Sequence, residues 1–185
     1  EAGLDDALTA LLDVIVLMDR TGLQADGPLA DWVAKGGLLI RFAGPRMAAD
    51  PQLADEPLLP VRLRPGGRDM GGALSWGAPR PIAPFAADGP FAGLSVPAEV
   101  TIRGQLMAEP TPDLAARSIA VLTDGTPLVT RGALGEGRVV LFHSSANADW
   151  SSLPISGLFV QMLERLIAGA GRAPATTQEL PPGGI

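Results

Sequence analysis

The sequence predicts an α/β domain with a central, mostly parallel sheet, helices on both sides and an antiparallel extension near residues 118–142. Three observations predict it. A continuous apolar run, Val14-Ile-Val-Leu-Met18, ends on Asp19 and reads as a strand buried on both faces. Leu29-Ala-Asp-Trp-Val-Ala-Lys35 lies between Gly27-Pro28 and Gly36-Gly37. Proline suits the first helical position and glycine the position past the last, so this piece reads as a short helix. A second buried strand, Leu38-Leu-Ile-Arg-Phe-Ala43, follows at once. Strand, helix and strand within about 30 residues form a βαβ unit, which implies a parallel pair.

Between residues 45 and 112 the texture changes. Proline and glycine interrupt the chain every few residues, and the apolar pieces are short: 58–63, 73–76, 82–85 and 100–107. Short irregular strands and long loops are expected there, as an excursion from the main sheet. Regular structure returns with 118–123 and 127–131, joined through Asp124-Gly125, a preferred hairpin turn. Gly135-Glu-Gly137 predicts another turn, and residues 138–142 a further strand. Ser151 or Ser152 then caps a helix from Pro154 to about Ala168. Its stripe is Ile155, Leu158, Phe159, Met162, Leu163, Leu166 and Ile167, opposite Gln161, Glu164 and Arg165. Residues 1–170 are expected to form one domain, and 171–185, rich in Gly, Pro, Ala and Thr, a linker or tail.

Composition limits the function. The 185 residues are 46% apolar and 18% charged, which excludes a wholly disordered chain. With 23 glycines and 18 prolines, scattered without a repeat, the chain is rich in turns. Its 14 basic and 20 acidic residues give a net charge of −6, which argues against nucleic acid as a partner. With no cysteine and one histidine, thiol catalysis, disulfides, zinc–thiolate sites and multi-histidine metal sites are excluded. No cofactor or metal site is expected. The longest mostly apolar stretch, residues 7–18, is broken by Thr9 and Asp13 and falls short of the about 20 residues a membrane helix needs. No signal peptide is visible, and a chain that starts at Glu1 is expected to be a piece of a longer protein.

Chemistry-bearing residues are few. His143 stands at the end of a predicted strand in Phe142-His-Ser-Ser145, where open α/β sheets collect ligands. His143 with Ser144 or Ser145 and Asp149 is the raw material of a hydrolase, although successive strand residues point to opposite faces and no Gly-x-Ser-x-Gly elbow is present. Gly66-Gly-Arg-Asp-Met-Gly-Gly72 matches neither a P-loop nor a dinucleotide fingerprint and reads as a flexible turn. The better expectation is a small polar ligand at the carboxyl ends of the strands, near Asp19, Arg20, Ala43, Gly44, Arg46, His143, Ser144, Ser145 and Asn147.

Taken together, Val14–Asp19, Leu29–Gly37 and Leu38–Gly44 resemble the class I glutamine amidotransferase-like (flavodoxin-like) fold. The later run Gly137-Arg-Val-Val-Leu-Phe-His-Ser-Ser-Ala-Asn-Ala-Asp-Trp150, with Ser-Ser-Leu-Pro-Ile-Ser-Gly157, narrows the likeness. It is similar to the soluble domain of bacterial membrane proteins with an aerotolerance-regulator-type N-terminal transmembrane region, often with a C-terminal domain of unknown function. The resemblance places the family's catalytic cysteine near Phe42, Ala43 or Gly44, where this chain has none, and makes His143 the counterpart of the catalytic histidine. It implies a retained fold without glutaminase chemistry. The expected role is a non-catalytic interaction or ligand-binding domain of an inner-membrane protein, facing the periplasm, with an envelope protein or a small polar ligand as partner.

Overall fold

The computed structural model describes residues 13–69 and 78–169. Its centre is a five-stranded sheet in the order β1 (Val14–Met18), β2 (Leu38–Phe42), β9 (Gly137–Phe142), β8 (Pro127–Leu134), β7 (Ser118–Val121). The first three strands run parallel, and β8 and β7 continue the sheet antiparallel. The mixed α/β architecture and the antiparallel extension therefore stand as the sequence predicts.

Helix α1 (Pro28–Ala34) joins β1 to β2, and its Leu29 and Val33 pack on Ile15, Leu17, Leu39 and Val139. The opposite face of the sheet, with Leu38, Ile40, Phe42, Val140 and Phe142, packs under the last helix through Leu158, Met162 and Leu166. Phe42 and Phe142, partners across β2 and β9, stack with centroids 4.6 Å apart, and Phe159 closes over both. The turn from β8 to β9 is tight because the chain there runs against α1. A Cβ on Gly137 would lie 1.9 Å from the Val33 carbonyl oxygen, so no other residue fits.

The region 45–112 is more organised than its composition suggests. It contains α2 (Pro45–Ala49), a 3₁₀ turn at Leu53–Asp55, and β3 (Leu63–Asp69) paired antiparallel with β6 (Gly104–Ala108). Two short strands, β4 (Arg80–Pro81) and β5 (Thr101–Ile102), form a second small pair. Met47, Leu53, Val61, Leu63, Leu106 and Ala108 make a separate core against Leu141, while Ile82, Phe91, Val100 and Ile102 join the core under the last helix. The excursion is thus packed onto both faces of the sheet. The piece 73–76 lies outside the described residues.

Three expectations need correction, and one short helix lies outside them. β1 is not buried on both faces: as the edge strand among the described residues it buries Ile15 and Leu17 and leaves Val16 and Met18 exposed. Of Gly66-Gly-Arg-Asp69, a predicted turn, all four residues lie in β3, where a register shift between Leu63 and Gly67 and a φ of +77° at Gly66 absorb the irregularity. A four-residue helix, α3 (Leu114–Arg117), precedes β7. The last helix, α4, spans Gly157–Ala168 and follows Ser156 rather than Ser151 or Ser152. Pro154 sits in a 3₁₀ turn, Leu153–Ile155, whose Leu153 N–H donates to Ser151 Oγ at 2.9 Å, so Ile155 leaves the apolar stripe and is 76% exposed.

Candidate functional site

The predicted site residues lie at the carboxyl ends of β1, β2 and β9. Backbone hydrogen bonds lace these ends one residue past each strand: Asp19 N–H to Phe42 O (2.9 Å), Ala43 N–H to Phe142 O (2.9 Å) and His143 N–H to Leu128 O (2.7 Å). Sequence reasoning therefore places them at one end of the sheet correctly, but they form two groups with different neighbours.

The first group is built around Asp19. Its backbone turns left-handed (φ +49°), which aims the carboxylate across β2. Oδ2 accepts the Arg46 N–H at 3.0 Å and Oδ1 the Met47 N–H at 2.9 Å, so Asp19 satisfies two free amides at the start of α2. Gly44 makes room for this: a Cβ there would stand 2.3 Å from Asp19 Cγ. Ala43 and Gly44 are buried, Arg20 is half-buried, and the Arg46 side chain is exposed beside them. The Asp19 carboxylate is already occupied by backbone donors.

The second group is centred on His143, which is fully buried. Its Nδ1 lies 2.9 Å from Leu106 O, a pure acceptor, so Nδ1 carries the proton. Nε2, 2.9 Å from Thr130 Oγ1, then accepts the hydroxyl proton. Burial lowers the imidazole to about 4, against a smaller upward pull from the Leu106 carbonyl, and the ring is neutral at pH 7. Ser144 Oγ donates to Gly104 O at 2.8 Å. Ser145 Oγ donates to Asn147 O at 2.9 Å and accepts the Trp150 N–H at 3.2 Å. Asn147 Oδ1 accepts the Asp149 N–H at 3.0 Å, and both Asn147 and Asp149 are exposed. Each serine hydroxyl gives its proton to a carbonyl, and neither lies on the imidazole. The hydrolase arrangement of His143, Ser144 or Ser145 and Asp149 thus has its residues in one turn without the contacts a relay needs.

Among the described residues, no group of three His, Asp or Glu could hold a metal ion, and no helix is long and apolar enough to cross a membrane. No family model matches the chain, and no curated protein does. Solved structures do. A cytoplasmic protein of Salmonella typhimurium superposes with a TM-score of 0.63 at 16% identity, over 89% of this chain and 73% of its own. A second cytoplasmic protein, from Salmonella typhimurium LT2, gives 0.59 at 19% identity, over 87% and 74%. The likeness is one of fold alone. An exo-β-1,4-mannosidase from Opitutaceae bacterium strain TAV5 also aligns, but at a TM-score of 0.46 over 24% of its chain, too weak to carry an argument.

Two polar clusters escape the sequence reading. Arg41 sits in the middle of β2 with 1% of its side chain exposed, paired to Glu56 at 3.0 Å. Its Nη1 donates to the Pro57 and Leu58 carbonyls and its Nη2 to Arg20 O, while the Glu56 carboxylate accepts the Gly22 and Leu23 N–H groups. Burial pulls the Arg41 guanidinium below its ordinary value, and Glu56 opposes that pull. The one signal in the sequence was an arginine inside Leu-Leu-Ile-Arg-Phe, a charge where only a partnered charge survives. The second cluster joins Arg68, Gln105, Asp124 and Thr126. Arg68 Nη1 meets Asp124 Oδ2 at 2.8 Å, Arg68 Nη2 donates to Gln105 Oε1 at 2.6 Å, and the buried Gln105 Nε2 donates to Pro127 O at 2.8 Å. Partial burial acts to raise the Asp124 carboxyl, but the bonds from Thr126 and Arg68 outweigh it and bring it to about 2. No spacing rule joins Arg68 to residue 124, so this cluster had no local signal.

Proposed function

We propose that the chain is a non-catalytic interaction or ligand-binding domain of a membrane-anchored bacterial envelope protein, an amidotransferase-like domain without its nucleophile. The observation that carries this reading is the state of His143. Both ring nitrogens are committed inside the core, to Leu106 O and Thr130 Oγ1, and the imidazole has no solvent-facing edge. A general base must reach a substrate proton within hydrogen-bond distance, and this one would have to break two internal bonds to do so. The envelope setting and the periplasmic side come from the resemblance of residues 137–157. The ligand-binding form of the proposal uses the exposed polar rim at the strand ends, Arg46 and Asn147, beside Asp19.

The deciding assay is hydrolysis of ester, amide and glycoside substrates by the wild-type chain and by His143→Ala. The expected result is no turnover by either. Turnover by the wild type that His143→Ala abolishes while keeping its circular dichroism spectrum would replace this reading with a hydrolase. Location is tested on the full-length parent protein, by adding protease to intact spheroplasts. Sedimentation with membranes and clipping from outside are expected; a soluble parent protein removes the anchoring half of the proposal.

A further inference from the structure

Residues 57–60 form a strap beside β8, where Pro60 lies against Gly132: a Cβ on Gly132 would come within 3.2 Å of Pro60 Cα. Arginine side chains hold three of the four strap carbonyls, Arg41 Nη1 donating to Pro57 O at 2.9 Å and to Leu58 O at 3.1 Å, and Arg117 Nη1 to Pro60 O. Arg41 is fixed in turn by its buried pair with Glu56. The same contacts keep Leu58 left-handed, at φ +58°, a conformation rare for a bulky side chain. Backbone strain that the surroundings enforce is concentrated where proteins bind or react. Here the strap and the sheet wall a cavity of about 260 Å³ that opens to solvent, lined by residues 57–60 with Gly132, Leu134, Val139, Ala25 and Arg117. It sits at the β8–β9 turn, the opposite end of β9 from His143.

The lining sets the chemistry of an occupant. Its side chains are aliphatic apart from one guanidinium. Arg117 spends Nε on Asp113 Oδ2 at 2.7 Å and Nη1 on Pro60 O, which leaves Nη2 without a partner among the described residues. Aliphatic walls take an apolar body, and a spare N–H takes an acceptor oxygen. Asp113 already balances the charge of Arg117, and Asp26 is exposed next to Ala25, so a second carboxylate gains little from this cation. We propose that this cavity binds a small aliphatic molecule with one uncharged acceptor oxygen, a ketone, ester or amide, its body against Leu134 and Val139 and its oxygen on Arg117 Nη2. The size is adequate. A cavity of about 150 Å³ holds benzene, so this one takes a molecule of about ten heavy atoms. Because the arginines fix the strap beforehand, binding costs little ordering of the wall. The inference goes beyond the strand-end rim proposed above and does not depend on it.

The test titrates cyclohexanone into the full chain labelled with ¹⁵N and follows the backbone amides by NMR. Saturating shifts are expected at Leu58, Leu59, Gly132, Leu134 and Val139, with the strand-end amides of Ala43 and His143 unmoved. Ala25 is exposed at the cavity, so Ala25→Trp sets an indole across it without entering the core, and it is expected to abolish the shifts. Arg117→Met keeps an unbranched side chain but removes the donor, and is expected to weaken binding at least three-fold. Cyclohexanecarboxylate at pH 7 is expected to bind the wild type at least five-fold more weakly than the ketone. Shifts that are absent, that rise without saturating, or that persist undiminished in a folded Ala25→Trp overturn the site, and the wild-type titration decides by itself if that variant does not fold. Saturating shifts centred on Ala43 and His143 overturn it as well, because the ligand then sits at the strand-end rim. Equal or tighter binding of the carboxylate, or unchanged affinity in Arg117→Met, overturns the proposed ligand class.

Discussion

At the scale of single residues, His143 is a strut whose chemistry is set by what surrounds it. Thr130 and Leu106 come from different strands, β8 and β6, and the imidazole joins them through a neutral ring. Its folded value of about 4 lies below the unfolded value near 6.5. Between these values the unfolded chain holds a proton that the folded chain does not, so stability rises with pH across that window. The contribution is complete above about pH 6.5 and is lost as pH falls through 4, about 3 kcal/mol in all. Urea unfolding of wild type and His143→Gln between pH 4 and 7 checks this: the wild type should lose stability on acidification with a slope that the variant lacks. His143→Ala at pH 7 leaves the Thr130 hydroxyl and the Leu106 carbonyl without partners in the core. It is expected to cost about 2–4 kcal/mol, read as a shift in the urea midpoint. Gly44→Ala belongs to the same scale. The new Cβ meets Asp19 Cγ at 2.3 Å, so either the Asp19 carboxylate leaves the α2 amides or the strand ends part. A loss of about 2 kcal/mol is expected, in line with a lost cap plus strain, and Asp19→Ala combined with Gly44→Ala should cost less than the sum of the single changes.

At the scale of elements, the Arg41–Glu56 pair ties β2 to the loops that follow β1 and precede β3. Arg41 holds the carbonyls of Arg20, Pro57 and Leu58, and Leu58 keeps a left-handed backbone, φ +58°, that leucine would not adopt unaided. Glu56→Ala leaves a guanidinium buried without its counter-charge and is expected to cost about 3–5 kcal/mol. Limited proteolysis should then cut within residues 20–23 and 56–60 before any other part of the described chain. Unchanged stability in Glu56→Ala would mean that the carbonyls alone satisfy Arg41. This scale also explains what the sequence made legible. β2 reads correctly because both of its faces are buried, and α1 because proline and glycine mark its two ends. β1 misleads because an apolar run records only that its residues can be buried, while its place at the sheet edge decides how many are. α4 starts later than the sequence predicts because Ser151 does bond a nearby amide, but that amide belongs to a 3₁₀ turn before the helix.

At the scale of the whole molecule, the excursion is the part that local patterns could not place. β3 and β6 pair across 35 or more residues, and β6 meets the main sheet through hydrogen bonds that no periodicity encodes. Leu106 N–H donates to His143 O at 2.7 Å, His143 N–H to Leu128 O at 2.7 Å, and the imidazole spans the same three strands through its side chain. The predicted site residues share one end of the sheet because the ends of β1, β2 and β9 are marked by Asp19, Gly44 and His143. Their internal partners were hidden because those partners lie up to 40 residues away, as Gly104 does from Ser144. A further expectation follows for how the molecule comes apart. With His143 in place, the sheet and the β3–β6 pair share one core boundary, so they should open together. Native-state hydrogen exchange should then give the Leu106 amide on β6 and the His143 amide after β9 similar free energies of opening, near the global value. Thr130→Val keeps the volume of the side chain but removes the hydroxyl that Nε2 accepts, leaving a buried lone pair unpaired at a cost of about 1–3 kcal/mol. In that variant the Leu106 amide should exchange at a free energy below that of the β2 and β9 amides, as the excursion begins to open by itself. If all of these amides fall together in Thr130→Val, the excursion and the sheet form one cooperative unit without help from the histidine, and His143 is a passenger in the core rather than its fastening.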